Sequence, residues 1–162
     1  MLNDQSNAEF YSAYLYLDFS LYYMEEGLEG FGNWYNVQAQ EERDHALLML
    51  QYLQNNGDHV TLNAIAKPDK KYKSQEDPLK FGLEHEQYVT SLIHKIYDAA
   101  LKEGDHRTTQ FLDWFVKEQG EEEKNSEDLL KKFALFGSDA KGLYMLDNEL
   151  KARVYAAPSL VL

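Results

Sequence analysis

The chain has 162 residues, enough for one domain with a sizeable core and too few for two comfortable ones, so a single domain over residues 1–162 is expected. The absence of cysteine excludes disulfides, thiolate nucleophiles, zinc knuckles and sulfur-ligated clusters, and leaves any metal chemistry to Asp, Glu, His, Gln or Tyr, which favour hard or borderline metals. A net charge of −12 speaks against nucleic acid as a partner and favours attraction of cations.

No stretch approaches the ~20 apolar residues that span a bilayer, and no basic stretch followed by an apolar run opens the chain. A cytoplasmic protein with no membrane partner is expected. Few prolines and plentiful Leu, Glu, Ala, Lys and Gln point to long helices.

A first helix is predicted from about Asn3 to Glu26, on an apolar stripe of Phe10, Ala13, Tyr14, Leu17, Leu21 and Met24, ending at Gly27 to Gly30. A second runs from about Phe31 to Asn55 on Trp34, Gln38, Glu41, His45, Leu48 and Tyr52, and stops at Asn56-Gly57. Polar residues occupy its seam where apolar ones belong. From Gly57 to about Asp77 the periodicity dissolves over a length suited to a crossover running the bundle end to end.

Pro78 suits the first turn of a third helix, whose seam is Leu79, Gly82, Glu86, Val89, Ile93, Ile96 and Ala100, ending at Gly104. The fourth starts near Asp105 and shows the clearest seam: Leu112, Phe115, Gln119, Glu122, Ser126, Leu129, Phe133 and Phe136, closed by Gly137. A short fifth segment, Gly142 to about Arg153, precedes an irregular tail, AAPSLVL. The fold class is therefore all-α: an up-and-down four-helix bundle with one long crossover and a short fifth C-terminal helix.

Glu86, Gln119 and Glu122 lie where the spacing points to the bundle centre, and an unpartnered carboxylate there costs several kcal/mol. Glu42 and His45, three residues apart, present a carboxylate and an imidazole on one face, within reach of one ion. Glu9 adds an acid from the first helix. A lone Glu-x-x-His is mostly chance, but each of four helices here offers an inward acid, and the seams hold no Lys or Arg to pair with them. That is enough for two metal ions bridged by carboxylates.

The strings NAEFYSAYLYL, AQEERDHA, EHEQYVT, FLDWFVKEQGEEEK and GLYMLDNEL closely resemble the bacterial and archaeal non-haem ferritins. The likeness covers all but the first few residues and the tail, and the separations of 33, 44 and 33 residues between Glu9, Glu42, Glu86 and Gln119 match the family pattern. The resemblance implies a ferroxidase that stores iron, oxidising Fe(II) with O2 or H2O2 and depositing Fe(III) mineral in a hollow octahedral 24-mer of identical subunits.

It also implies residue roles. Glu9, Glu42 and His45 would hold a first iron, and Glu42 would bridge to a second held by Glu86 and Glu122, with Gln119 nearby. Glu41, Glu118 and Glu121 match a third iron position, although adjacent acids are more often a solvated face. Tyr16, two turns after Glu9, matches the family's redox-active tyrosine, and Trp114 matches a tryptophan near the site. The family's first helix usually begins several residues before NAEF, so a shortened first helix is expected. Gly120 stands where a larger residue is common, and AAPSLVL matches nothing that carries over.

The rivals are a haem-binding bacterioferritin, a rubrerythrin-like peroxidase, a carboxylate-bridged diiron oxidase or oxygenase without storage, and a bundle without metal. The first would need a methionine where Arg43 stands and a second Glu-x-x-His where the chain has Gln119 and Glu122, so no haem is expected. The second would need cysteines.

Overall fold

A computed structural model describes all 162 residues, in the order α1 (Leu2–Glu25), α2 (Glu29–Asn55), α3 (Asp77–Glu103), α4 (His106–Phe136) and α5 (Ala140–Leu150), without strands. Each expected helix is present within a few residues of its predicted bounds. The crossover leaves α2 near the start of α1, where Asn3 Nδ2 donates to Thr61 O, and climbs to its far end, where the Tyr23 hydroxyl donates to Gln75 O. It thus runs the length of α1 and delivers α3 antiparallel to it. α1 packs chiefly on α2 and α3 on α4, whereas α2 and α4 face each other without close backbone approach.

The seams of α3 and α4 hold except toward the end of α4, where Ser126 and Phe133 are half-buried and Phe136 is 49% exposed. Leu79, Gly82, Glu86, Val89, Ile93, Ile96 and Ala100 are all buried, as are Leu112, Phe115, Gln119, Glu122 and Leu129. The expected stripe on α1 is corrected: Tyr14, Leu17, Leu21 and Met24 are 38–56% exposed. The buried face is Gln5, Glu9, Ser12, Tyr16, Phe19 and Tyr23, roughly 130° around the helix from the apolar stripe. Polar residues dilute the apolar signal of the inward face, so periodicity alone picks out the outer one.

Two apolar clusters fill the bundle. One gathers Leu15, Tyr16, Phe19, Tyr23, Phe31, Tyr35, Leu79, Leu129, Leu146 and Leu150 toward the α1–α2 turn. The other gathers Met49, Val89, Ile93, Ile96, Phe111, Leu112 and Phe115 toward the opposite end. In the first, Tyr35 stacks on Tyr23 at 5.8 Å and meets Phe19 edge-on at 5.2 Å. Of the 12 tyrosines, Tyr14, Tyr88 and Tyr144 are the ones at least half exposed, so most serve this core and its margins.

The short fifth helix is fixed by a cap. α2 begins at Leu28 without a side-chain cap of its own, and buried Asp147 of α5 fills that role, its Oδ1 accepting Gly30 N at 2.7 Å and Phe31 N at 3.1 Å. The carboxylate meets two of the free N–H groups and the positive end of the helix dipole. Gly30 permits the approach, since a Cβ there would stand 1.7 Å from Asp147 O.

Asp147→Ala is expected to destabilise the metal-free protein by about 1 kcal/mol or more through loss of this cap. Gly120→Ala, in open space on an exposed stretch of α4, should stabilise it by up to about 1 kcal/mol. Thermal melting reads these as shifts of opposite sign, and an Asp147→Ala protein that melts with the parent would remove the capping account.

Candidate metal centre

Between the two apolar clusters lies a polar layer. Glu9 comes from α1, Glu42 and His45 from α2, Glu86 from α3, and Gln119 and Glu122 from α4; none is more than 5% exposed. The i, i+3 pairs Glu42/His45 and Gln119/Glu122 put two donors from one helix on the same face. Ligand atoms of Glu9, Glu42 and His45 lie within 4.8 Å of one another, and so do those of Glu42, Glu86 and Glu122. Glu42 belongs to both groups.

Neutral donors hold the carboxylates. Gln5 Nε2 donates to Glu9 Oε1 at 2.9 Å, and Gln38 Nε2 donates to Glu42 Oε1 at 3.1 Å and to Glu122 Oε2 at 2.7 Å. The Tyr16 hydroxyl donates to Glu86 Oε1, and Gln119 Nε2 donates to Glu86 Oε2 at 3.1 Å. His45 Nδ1 stands 3.5 Å from Glu42 Oε2, and its ring is held edge-on by Trp114 and Phe115 at 5.5 and 5.9 Å. Glu9 Oε2 is buried without any hydrogen-bond partner. Such an orphaned oxygen is rare in native interiors and fits a cation ligand.

Burial dominates the titration. Desolvation, then the neighbouring Glu42 charge, pushes Glu9 up to about 8, and the same two causes push Glu86 up to about 8. Burial raises Glu42 and Glu122 as well, the nearest carboxylates adding to it. Four close carboxylates cannot all ionise without positive charge, so the metal-free layer keeps protons at neutral pH. Burial and the Glu86 charge likewise hold Tyr16 in its protonated form.

The third group of acids is less buried than the layer, Glu41 and Glu118 being half-buried and Glu121 exposed. Ligand atoms of half-buried Glu118, His45 and Glu122 lie within 4.8 Å of one another, and the Glu118 charge also acts on Glu41. Glu41 is paired with Arg153 at 2.5 Å, and exposed Glu121 faces Lys117 at 3.2 Å. Sequence reading missed the roles of Gln5 and Gln38, although each precedes a candidate ligand by four residues and so shares its helix face. It also missed Arg153, which arrives from 115 residues away. A cavity of about 460 Å3 at the bundle end, lined by Met1, Tyr52, Ile96 and Thr108 among others, includes none of the layer's acids.

The ferritin-like domain family matches residues 1–136. The chain is 38% identical to a probable bacterial non-heme ferritin-like protein of Haemophilus influenzae, over 93% of this chain and 91% of the relative. It is 37% identical to the bacterial non-heme ferritin of Campylobacter jejuni, over 93% and 90%. Among solved structures, the open pore ferritin of Archaeoglobus fulgidus superposes with a TM-score of 0.92 at 42% identity, covering 94% of each chain. A closed form of that ferritin, engineered by site-directed mutagenesis, gives 0.93 over 96% of this chain and 94% of the other.

Each layer acid binds its proton more tightly in the folded state than in the unfolded one, so metal-free stability falls as pH climbs from the ordinary 4.5 toward 8. The depressed carboxyls Asp77, Asp105 and Asp128 act only below their usual 3.8, outside that window. A bound divalent cation displaces the protons and removes the penalty. The rise in melting temperature on adding Co(II) is therefore expected to grow between about pH 5 and about pH 8, with protons released on binding. A gain independent of pH, with no proton release, would contradict protonated ligands.

Proposed function

Because the chain belongs to the ferritin-like family, we propose that it is an iron-storage ferroxidase of the non-heme ferritin type, acting on two Fe(II) per subunit at the buried carboxylate layer. The observation that carries this reading is that Glu42 is common to two groups of ligand atoms drawn from four helices. Glu9, Glu42 and His45 form one iron position. Glu42, Glu86 and Glu122 form the other, with Gln119 beside Glu86.

Fe(II) is the substrate: two irons each give one electron to O2 or H2O2, and Fe(III) leaves for the mineral store. Hard carboxylate oxygens serve both oxidation states, and a shared carboxylate keeps the two irons close enough to act on one oxidant. The chain's residues orient and release. Tyr16 and Gln119 grip the two Glu86 oxygens, Gln38 fixes one oxygen each of Glu42 and Glu122, and the acids give up protons as iron enters. Tyr16, protonated and buried against Glu86, is the residue proposed as redox-active beside the pair.

Glu118, with Glu121 one turn on along α4 and Glu41 on α2, is proposed to receive a third iron on the way out. The chain acts as one unit over residues 1–162, in the cytoplasm, without haem and without nucleic acid or membrane as partner. No helix is long and apolar enough to cross a membrane. Identical subunits form the hollow cage, and the exposed stripe Tyr14, Leu17, Leu21 and Met24 supplies the apolar outer face that a subunit contact needs.

Glu42→Ala is expected to abolish the fast phase of Fe(II) oxidation in stopped-flow mixing while the metal-free protein melts no lower than the parent, since a costly buried acid is gone. Glu121→Ala should change later turnover and leave that fast phase in place. A Glu42→Ala protein that oxidises two irons per subunit at the parent rate would refute the dinuclear assignment. Native mass measurement with an absorbance spectrum reads the assembly: a large closed shell without a Soret band is expected, and a monomer or a haem-loaded shell would overturn that part of the proposal.

A further inference from the structure

The chain does not end at α5. Residues 151–162 turn back along the outside of α2 toward α4, a path seen in three fastenings. Asn33 Nδ2 donates to Leu150 O at 3.2 Å and to Arg153 O at 2.9 Å, the Tyr155 hydroxyl donates to Asp44, and Trp114 Nε1 donates to Ser159 Oγ at 3.0 Å. The segment crosses the side where α2 and α4 have no close backbone approach, over the carboxylate layer.

Arg153 is the strap's charged residue beside the layer, Lys151 at its start pairing with Glu29 instead. Its guanidinium lies 4.1 Å from the Trp34 ring centroid, and Nη1 donates to Trp34 O at 3.2 Å. Nη2 donates to Glu41 Oε2 at 2.5 Å and to Gln38 Oε1 at 2.8 Å. The Gln38 contact matters most. A primary amide has one acceptor end and one donor end, and a guanidinium can only donate. With its oxygen taken by Arg153, Gln38 must turn its NH2 inward, where it donates to Glu42 Oε1 and Glu122 Oε2. Rotated by half a turn, the same amide would present its oxygen to both carboxylates and repel them in the ionised form that binds metal.

We propose that Arg153 is a positioning residue for the iron pair: by fixing the Gln38 amide it sets the Glu42 and Glu122 oxygens, and so ties the C-terminal strap to metal affinity. The inference rests on the dinuclear reading of the site. Arg153 touches neither iron position, and its influence passes through Gln38. Loss of a direct outer partner of a ligand, as Gln38 is here, lowers metal affinity by about 10–100-fold, and Arg153 acting through Gln38 is expected at the low end of that range.

The test is Co(II) titration of the metal-free assembly, followed by calorimetry and by the visible bands of bound Co(II). Arg153→Met is expected to weaken binding of the pair by about tenfold or more and to alter those bands. Arg153→Lys, which returns a donor to the Gln38 oxygen, should recover part of the affinity. In a Gln38→Leu background, Arg153→Met should cost nothing further, because the amide it acts through is gone. Tyr155→Phe loosens the strap at Asp44 without touching Gln38 and should bind as the parent does, which separates the guanidinium from mere docking of the tail.

Two Co(II) per subunit in the parent, lost in Glu42→Ala, would support the pair independently of Arg153. A parent without that stoichiometry overturns the pair and the positioning role together. A parent that binds the pair while Arg153→Met binds it equally well, or effects of Arg153→Met and Gln38→Leu that add in full, overturns the positioning role alone.

Discussion

The structure is organised around the placement of four carboxylates in the middle of a helical bundle. An ionised carboxylate taken from water without a partner costs several kcal/mol, a large share of the ~5–15 kcal/mol that holds a domain together. Glu9, Glu42, Glu86 and Glu122 together would exceed that margin as four bare charges. The protein tolerates them by letting burial raise their affinity for protons and by meeting most of their oxygens with neutral donors. Two apolar clusters, one on each side of the layer, supply the packing that the layer itself does not.

Legibility in the sequence followed signal strength. On α3 and α4 the apolar residues occupy one face, so the few polar residues among them, Glu86, Gln119 and Glu122, stood out as inward and are inward. On α1 the inward face carries Gln5, Ser12 and Glu9 among its aromatics, and the outer face is the more apolar. Periodicity reports where apolar residues recur, and it does not distinguish burial within a subunit from an apolar outer surface. Glu9 was read as inward from its place beside that stripe, and it is inward although the stripe itself faces out.

Contacts between distant segments were not legible at all. Asp147 caps α2 across 117 residues, and nothing in its surroundings on α5 marks it as a cap rather than a surface acid. Arg153 reaches Gln38 and Glu41 from a segment with no periodicity to fix its path. The absence of Lys and Arg from the seams was read correctly, but it described the seams alone, and the one guanidinium near the layer comes from outside them. By contrast Gln5 and Gln38 were within reach of the sequence, because a glutamine four residues before a buried glutamate has that carboxylate as its natural partner.

The choice of partners connects the fold to the chemistry. A lysine or arginine bonded directly to these acids would satisfy them without iron, and incoming Fe(II) would then have to displace a tethered cation. Gln5, Gln38, Gln119 and Tyr16 orient carboxylate oxygens without supplying that competing charge. Glu9 Oε2 is left with no donor from the protein, so at that oxygen a cation displaces only a proton. Arg153 is kept one amide away from Glu42 and Glu122, where it organises the donors and pairs with Glu41 instead. Neutral contacts around the layer, with the nearest guanidinium displaced outward, leave the carboxylates ordered and still short of positive charge, the condition that the proposed uptake of Fe(II) requires.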